Sequence, residues 1–248
     1  MHSDKNFCIL VAGAPATGKS TLAQTLSKEL ELPLLSKDAS KEILFDVVGF
    51  RSRAEKVILG EAAFRLLLYT AEQLLAAHIP FIIENNFESS SKEQIESLLN
   101  AYNCPTATLL LKGEPFVLYQ RFLQRQSSPS RHRGHVVNDR YPEPEPNRPL
   151  PPPPSLEAFT NGSLKRGMTE PVGNGPILTI DTTDFSQISL PEIFRWLRDT
   201  AGFFDFPGSF FQIRLKNGQF TLILAYRIIS LYFLLTFNDM RDIILVSI

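Results

Sequence analysis

The stretch GAPATGKS, Gly13 to Ser20, follows the apolar run FCILVA and precedes TLAQTLSKEL. It fits the pattern G-x-x-x-x-G-K-[ST], and its flanks are those the pattern requires. A short apolar run ended by glycine reads as a strand buried on both faces, and Leu22, Leu26 and Leu30 recur at helical spacing. In such a loop the backbone N–H groups converge on phosphate oxygens, and glycine lets the chain turn tightly. The pattern assigns Gly13, Ala14, Pro15, Ala16, Thr17, Gly18 and Thr21 to the cradle of a nucleotide such as ATP. Lys19 would reach its β and γ phosphates, and Ser20 would ligate Mg²⁺.

Further strands and helices alternate along the chain. LPLLS, PFIIE, TATLLLKG and PILTIDTTD read as short strands. Between them, helical patterns cover residues 38–48, 53–78, 89–102 and 114–126, and a last one covers 190–200. Asp38 is an N-cap candidate for the first of these, a serine for the third, and Pro115 is tolerated early in the fourth. Alternation of this kind implies an α/β fold, a three-layer sandwich with a five-stranded parallel sheet and helices on both faces. A composition of 44% hydrophobic and 21% charged residues over 248 residues suits one such domain with an appended segment.

Charge and cysteine content exclude several classes. A formal net charge of −1 carries no strong nucleic-acid signal. Cys8 and Cys104 lie far apart and suggest buried thiols rather than a disulfide framework. The histidines of RHRGH lack metal-ligand spacing. The opening MHSDKNF lacks a signal pattern, which points to the cytoplasm.

Two carboxylates fall where a parallel sheet opens its crevice, at the carboxyl ends of strands. Glu84 ends the third strand, a position suited to holding Mg²⁺ through water. Asp38 follows the second strand and can accept the proton of a hydroxyl that attacks phosphorus; it also suits a helix cap, and the two roles are compatible.

The ordered set GAPATGKST, LLSKDASKEIL, FIIENNF, RFLQRQ…RHRGH and LTIDTTD resembles the small P-loop kinases, a group that includes chloramphenicol phosphotransferase, zeta toxins and the kinase domain of polynucleotide kinase. The resemblance spans about residues 7–200. It implies ATP and Mg²⁺ as cofactors, Asp38 as general base and a small-molecule hydroxyl acceptor. Lys41 resembles an acceptor- or phosphate-contacting arginine, with a solvated helix lysine as the alternative. Asn86 resembles a substrate-side polar residue, with a turn asparagine as the alternative. Arg121 and Arg125, four apart on one helix face, fall where these kinases carry a basic lid over the triphosphate. Arg131 and Arg133 are further lid candidates. Asp181 and Thr182 resemble the loop that borders the adenine.

Two segments break the rhythm. YPEPEPNRPLPPPPSLEAF, within a lid and insertion at about 121–175, reads as polyproline II because proline fixes φ and removes donors. Residues 201–248 form an apolar extension, set apart from a kinase domain at 1–200. Within it, IRLKNGQFTLIL carries an Asn-Gly hairpin signal. FTLILAYRIISLYFLLTF is barely long enough for a membrane span, and Arg227 opposes insertion by about 2.5–3.5 kcal/mol. Membrane contact is therefore disfavoured. The reading is a kinase that transfers the γ-phosphoryl group to a small molecule or nucleotide sugar. The alternatives are a polynucleotide 5′-hydroxyl kinase and a non-catalytic ATP-binding switch module.

Overall fold

The computed structural model describes residues 6–145, 148–201 and four strands beyond, at 212–216, 219–224, 233–236 and 246–247. Its first sheet joins β1 (Cys8–Gly13), β2 (Leu34–Ser36), β3 (Phe81–Glu84), β4 (Thr106–Lys112) and β5 (Ile177–Asp181). All pairings are parallel, in the order β2-β3-β1-β4-β5, as the alternating pattern requires.

Central position explains the unbroken apolar run of β1, every residue of which is buried. Successive side chains point to opposite faces. Ile9 and Val11 meet Leu22, Leu26 and Leu30 of α1 (Lys19–Leu30) and Ile193 and Leu197 of α8 (Leu190–Ala201). Cys8, Leu10 and Ala12 meet Phe64, Leu67 and Leu75 of α3 (Arg53–Ala76) and Ile95 and Leu99 of α4 (Ser89–Ala101). The three layers follow from one strand's alternation. Both cysteines are buried free thiols.

Register brings the site together. β1 lies between β3 and β4, so the chain leaves it toward opposite sides of the sheet and a crevice opens at the strands' carboxyl ends. Val11 pairs with Glu84, and Glu84 with Ser36. The loop after β1, the acid after β3 and the start of α2 (Lys37–Val48) therefore share one edge.

Three local expectations need correction. Ser36, not Asp38, caps α2: its Oγ accepts from Ala39 N at 3.4 Å, and Asp38 lies in the first turn. No serine side chain caps α4; Glu88 holds the cap position without a side-chain bond. The proline-rich stretch ends earlier than expected, because Ser155 accepts from Ala158 N and opens α7 (Leu156–Lys165). Glu114 caps α5 (Pro115–Gln126), with Pro115 in its first turn as expected.

Beyond α8, β6 (Gln212–Lys216), β7 (Gln219–Leu224), β8 (Phe233–Thr236) and β9 (Val246–Ser247) pair antiparallel in chain order. Lys216 opposite Gln219 fits the hairpin signal, whose Asn217 and Gly218 lie outside the described residues. Arg227 lies outside them too. Among the described residues, no helix is long and apolar enough to cross a membrane.

Candidate active site

Gly13 ends β1 with φ at 143°, and a Cβ there would collide with the Leu111 carbonyl. Ala16 and Gly18 also take positive φ, which folds the loop back over the start of α1. Thr17 Oγ1 donates to Ala14 O at 2.9 Å. The Lys19 ammonium, 6% exposed, donates to the same carbonyl at 2.8 Å. Burial pulls this ammonium down to about 8, against the attraction of Glu84 and Asp38 and with some help from Arg125.

Glu84, 5% exposed, accepts from Ser20 Oγ at 3.2 Å and from Ser36 Oγ at 2.7 Å. A hydroxyl and a carboxylate this close are hard oxygen donors of the kind Mg²⁺ takes, with phosphate oxygens and water completing its shell. The residues fit the ion that the loop pattern implies. A cavity of about 250 Å³ opens beside them, walled by Leu35, Ile43 and Leu67. Replacing Ser36 by alanine removes both the cap and a donor to a buried carboxylate. Chemical denaturation should report a loss of about 1–2 kcal/mol.

Asp38 occupies the opposite face of α2 from that cavity, and its carboxylate makes no hydrogen bond among the described residues. Burial raises its pKa, but His135, Lys41, Arg131 and Lys19 outweigh burial and hold it below the usual carboxylate range. His135 is itself driven well below its usual value, chiefly by burial, so near neutrality the three cations carry the effect. Lys41 is not a solvated helix lysine. Its ammonium lies 5.5 Å from the Phe45 ring centroid, its Cε packs at Gly60 of α3, and burial lowers it.

Residues 131–138 are fastened to α2 and α3 rather than free to swing. His135 Nε2 lies 2.8 Å from Glu42 Oε1. His132 Nδ1 accepts from Gly134 N, which puts the ring proton on Nε2, 3.0 Å from Asp46 Oδ1. A Cβ on Gly134 would collide with the Phe45 ring, so glycine lets this short helix, α6 (Arg133–Val136), lie flat on α2. Lys56 of α3 donates to His135 O at 3.0 Å, Val137 O at 2.5 Å and Asn138 Oδ1 at 3.0 Å. Nothing in the sequence singled out Lys56, which is buried on a helix that otherwise presents many charges to water.

The other arginines divide. Arg121 donates to Thr182 O at 2.5 Å and Thr183 O at 2.8 Å and stacks 3.8 Å above the Phe185 ring centroid. Its fork is engaged with these backbone carbonyls. Thr182 is fully buried with its hydroxyl on Lys112 O at 2.8 Å, so its side chain is structural rather than turned to a base. Asp181 accepts from Thr183 N at 2.8 Å and shapes the same turn. Arg133 is tied to Glu143 by two bonds of 2.6 Å. Arg125 is exposed and Arg131 half-buried; neither side chain makes a hydrogen bond or ion pair among the described residues.

Asn86 is half-buried after β3, with its amide side chain unbonded among the described residues. Its neighbour Asn85, 7% exposed, accepts from Asn86 N at 2.8 Å and leaves Nδ2 without a partner there. Sequence reasoning passed over Asn85, although the doubled asparagine after a buried strand was a usable signal.

An AAA domain family model (AAA_33) matches residues 8–140. No curated protein matches the chain. The crystal structure of a proposed kinase from Chloroflexus aurantiacus is 33% identical, with a TM-score of 0.65, covering 79% of this chain and 98% of that one. A gluconokinase from Sinorhizobium meliloti is similar at 15% identity and a TM-score of 0.41, covering 76% of this chain and 87% of its own. A shikimate kinase from Bacteroides thetaiotaomicron gives 15% and 0.42, with 77% and 96% covered. The last two are too distant to bear on the assignment. With the family model over more than half of its length and a relative at 33% identity, the chain belongs to the AAA domain family, among the small P-loop kinases.

Proposed function

We propose that this protein transfers the γ-phosphoryl group of ATP to a hydroxyl group of a small molecule. The observation that carries the reading is the free, half-buried Asp38 carboxylate, relieved of capping by Ser36 and electrostatically coupled to Lys19. The loop 13–21 binds the phosphates through its N–H groups, and the Lys19 ammonium exchanges Ala14 O for β,γ-phosphate oxygens. Ser20 and Glu84 would hold Mg²⁺, which supplies charge neutralisation along the phosphates when bound.

The acceptor oxygen attacks the γ-phosphorus while the bond to the bridging β,γ-oxygen breaks and ADP leaves with that electron pair. The hydroxyl proton passes to an Asp38 oxygen. A carboxylate held this low is a weak base at the start of the reaction. In a loose transition state, however, the proton leaves late, once the new P–O bond has made it acidic, so orientation matters more than basicity. Arg125 and Lys19 oppose the charge on the moving group. The unpartnered Asn85 Nδ2 and the unbonded Asn86 amide, just after β3, are the polar groups we assign to the acceptor.

Incubation with γ-labelled ATP, Mg²⁺ and a hydroxyl-bearing metabolite extract should yield a labelled organic product, and excess chelator should abolish it. Label released only as inorganic phosphate, at a rate indifferent to the extract, would support a nucleotide-binding switch instead.

A further inference from the structure

The proline-rich stretch that interrupts the strand–helix alternation carries the run Arg148-Pro149-Leu150-Pro151-Pro152-Pro153-Pro154. Residues 148–155 form neither helix, strand nor turn. Proline fixes its own φ, and its ring pushes the preceding residue to extended backbone. Arg148, Leu150, Pro151, Pro152 and Pro153 each precede a proline, so polyproline II is the conformation open to the run. Ser155, at φ −64° and ψ 161°, continues it to the cap of α7.

A polyproline II helix turns once in about three residues, so residues three apart share an edge. Arg148, Pro151 and Pro154 make one edge, Pro149 and Pro152 the next, and all five are exposed. Leu150, on the third edge, is half-buried. Both ends of the strap are held. Arg148 O accepts from Arg133 Nη2 at 3.0 Å, and the Arg148 guanidinium donates to Asp139 Oδ2 at 2.5 Å. At the far end the Tyr119 hydroxyl donates to Pro154 O at 2.9 Å. Phe159 of α7 packs on Tyr119 and Phe122 of α5, with ring centroids 5.7 and 5.0 Å away. Between these supports the carbonyls of Pro151, Pro152 and Pro153 accept no hydrogen bond among the described residues.

Two adjacent edges of proline rings with open carbonyls suit an aromatic groove. Its rings stack on the prolines, and hydroxyl or indole N–H groups donate to the carbonyls. The strap already holds the bound conformation, so little ordering entropy remains to be lost. Arg148 sets the charge of the partner. Its pair with Asp139 is open to water, the two side chains being 43% and 57% exposed, and such a pair is held weakly. An acidic group on a partner can therefore take Arg148 and leave Asp139 hydrated.

We propose that residues 148–154 dock a protein module of the SH3 type, whose aromatic groove takes the prolines and whose acidic rim takes Arg148. No nucleotide is required for this docking.

The test titrates the full chain into a purified, ¹⁵N-labelled SH3 domain that selects arginine-anchored polyproline ligands. Resonance shifts confined to the domain's aromatic groove, saturating at micromolar concentrations, are expected. Arg148→Gln should weaken binding by roughly 10-fold, and a Pro151→Ala, Pro154→Ala double variant by at least about as much. Asp139→Asn should tighten it by about 2- to 5-fold, because Arg148 is released. All three variants should melt close to the parent, since the changed side chains are exposed. Absence of groove shifts with the folded parent would overturn the proposal. So would binding that both the arginine and the proline variants leave unchanged, because the contact would then lie elsewhere on the chain. Binding lost in the proline variant but indifferent to Arg148 would overturn the acidic partner in favour of a neutral aromatic groove.

Discussion

Lys19→Met is expected to lower phosphoryl transfer by about 10²–10³-fold, since it deletes a preorganised cation where charge develops. The variant should keep its fold, because the Lys19 ammonium hydrogen-bonds to a loop carbonyl alone among the described residues and methionine fills similar space. The wild-type lysine also makes a pH signature. Burial holds it at about 8, and a triphosphate beside it stabilises the charged form, so its pKa rises on binding. Between those two values, binding takes up a proton, and affinity for ATP falls as pH rises through about 8. Calorimetry in two buffers of different ionisation enthalpy measures that uptake. Lys56 also lies at about 8 and could contribute, but it does not touch the loop; uptake that persists in Lys19→Met would reassign the signature to Lys56 and the 131–138 segment it holds. Stability moves the other way. Both lysines bind fewer protons folded than unfolded between about 8 and their usual 10.5, so from these groups the fold gains stability as pH rises through that window.

The parts of the site that sequence made legible are those fixed by local backbone. Gly13 to Thr21 must form the phosphate loop because strand, glycines and helix are contiguous, and Glu84 reaches Ser20 because strand ends in a parallel sheet share an edge. Helical spacing likewise put Arg121 and Arg125 on one face, yet spacing does not say what that face meets. Arg121 meets the turn after β5 and Phe185, and Arg125 stays exposed within electrostatic reach of Lys19. Ser36 was hidden by Asp38, a better-known cap two residues on, and only the hydrogen bonds show which one serves. Lys56 and the 131–138 segment it holds depend on residues some eighty positions apart, a separation at which no periodicity speaks. α7 was masked by four prolines that stop just short of its serine cap.

Asp38→Asn separates chemistry from architecture. Asparagine keeps the size of the side chain but accepts no proton, so acceptor phosphorylation should fall by roughly 10²–10⁴-fold. ATP affinity should hold within a few-fold, because the loop is intact and the proposed role of Asp38 is toward the acceptor. Capping is not at stake, since Ser36 performs it. The electrostatics are. Without the carboxylate, Lys41, Arg131 and Lys19 lose the counter-ion they share and keep only Glu88, Glu42 and Glu84 respectively, so the variant should melt lower than the parent at neutral pH. The sign of the pH dependence follows from the low folded pKa: the contribution of this acid is present above its usual 3.8 and is lost as pH falls through the folded value. The gap in melting temperature should therefore close on acidification below about pH 4. Sulfate should narrow it at neutral pH by entering the same cluster of cations. A variant that melts lower yet transfers phosphate at the parental rate would make Asp38 a counter-ion only. That result would leave the nucleotide loop without its base and favour the switch module over the kinase.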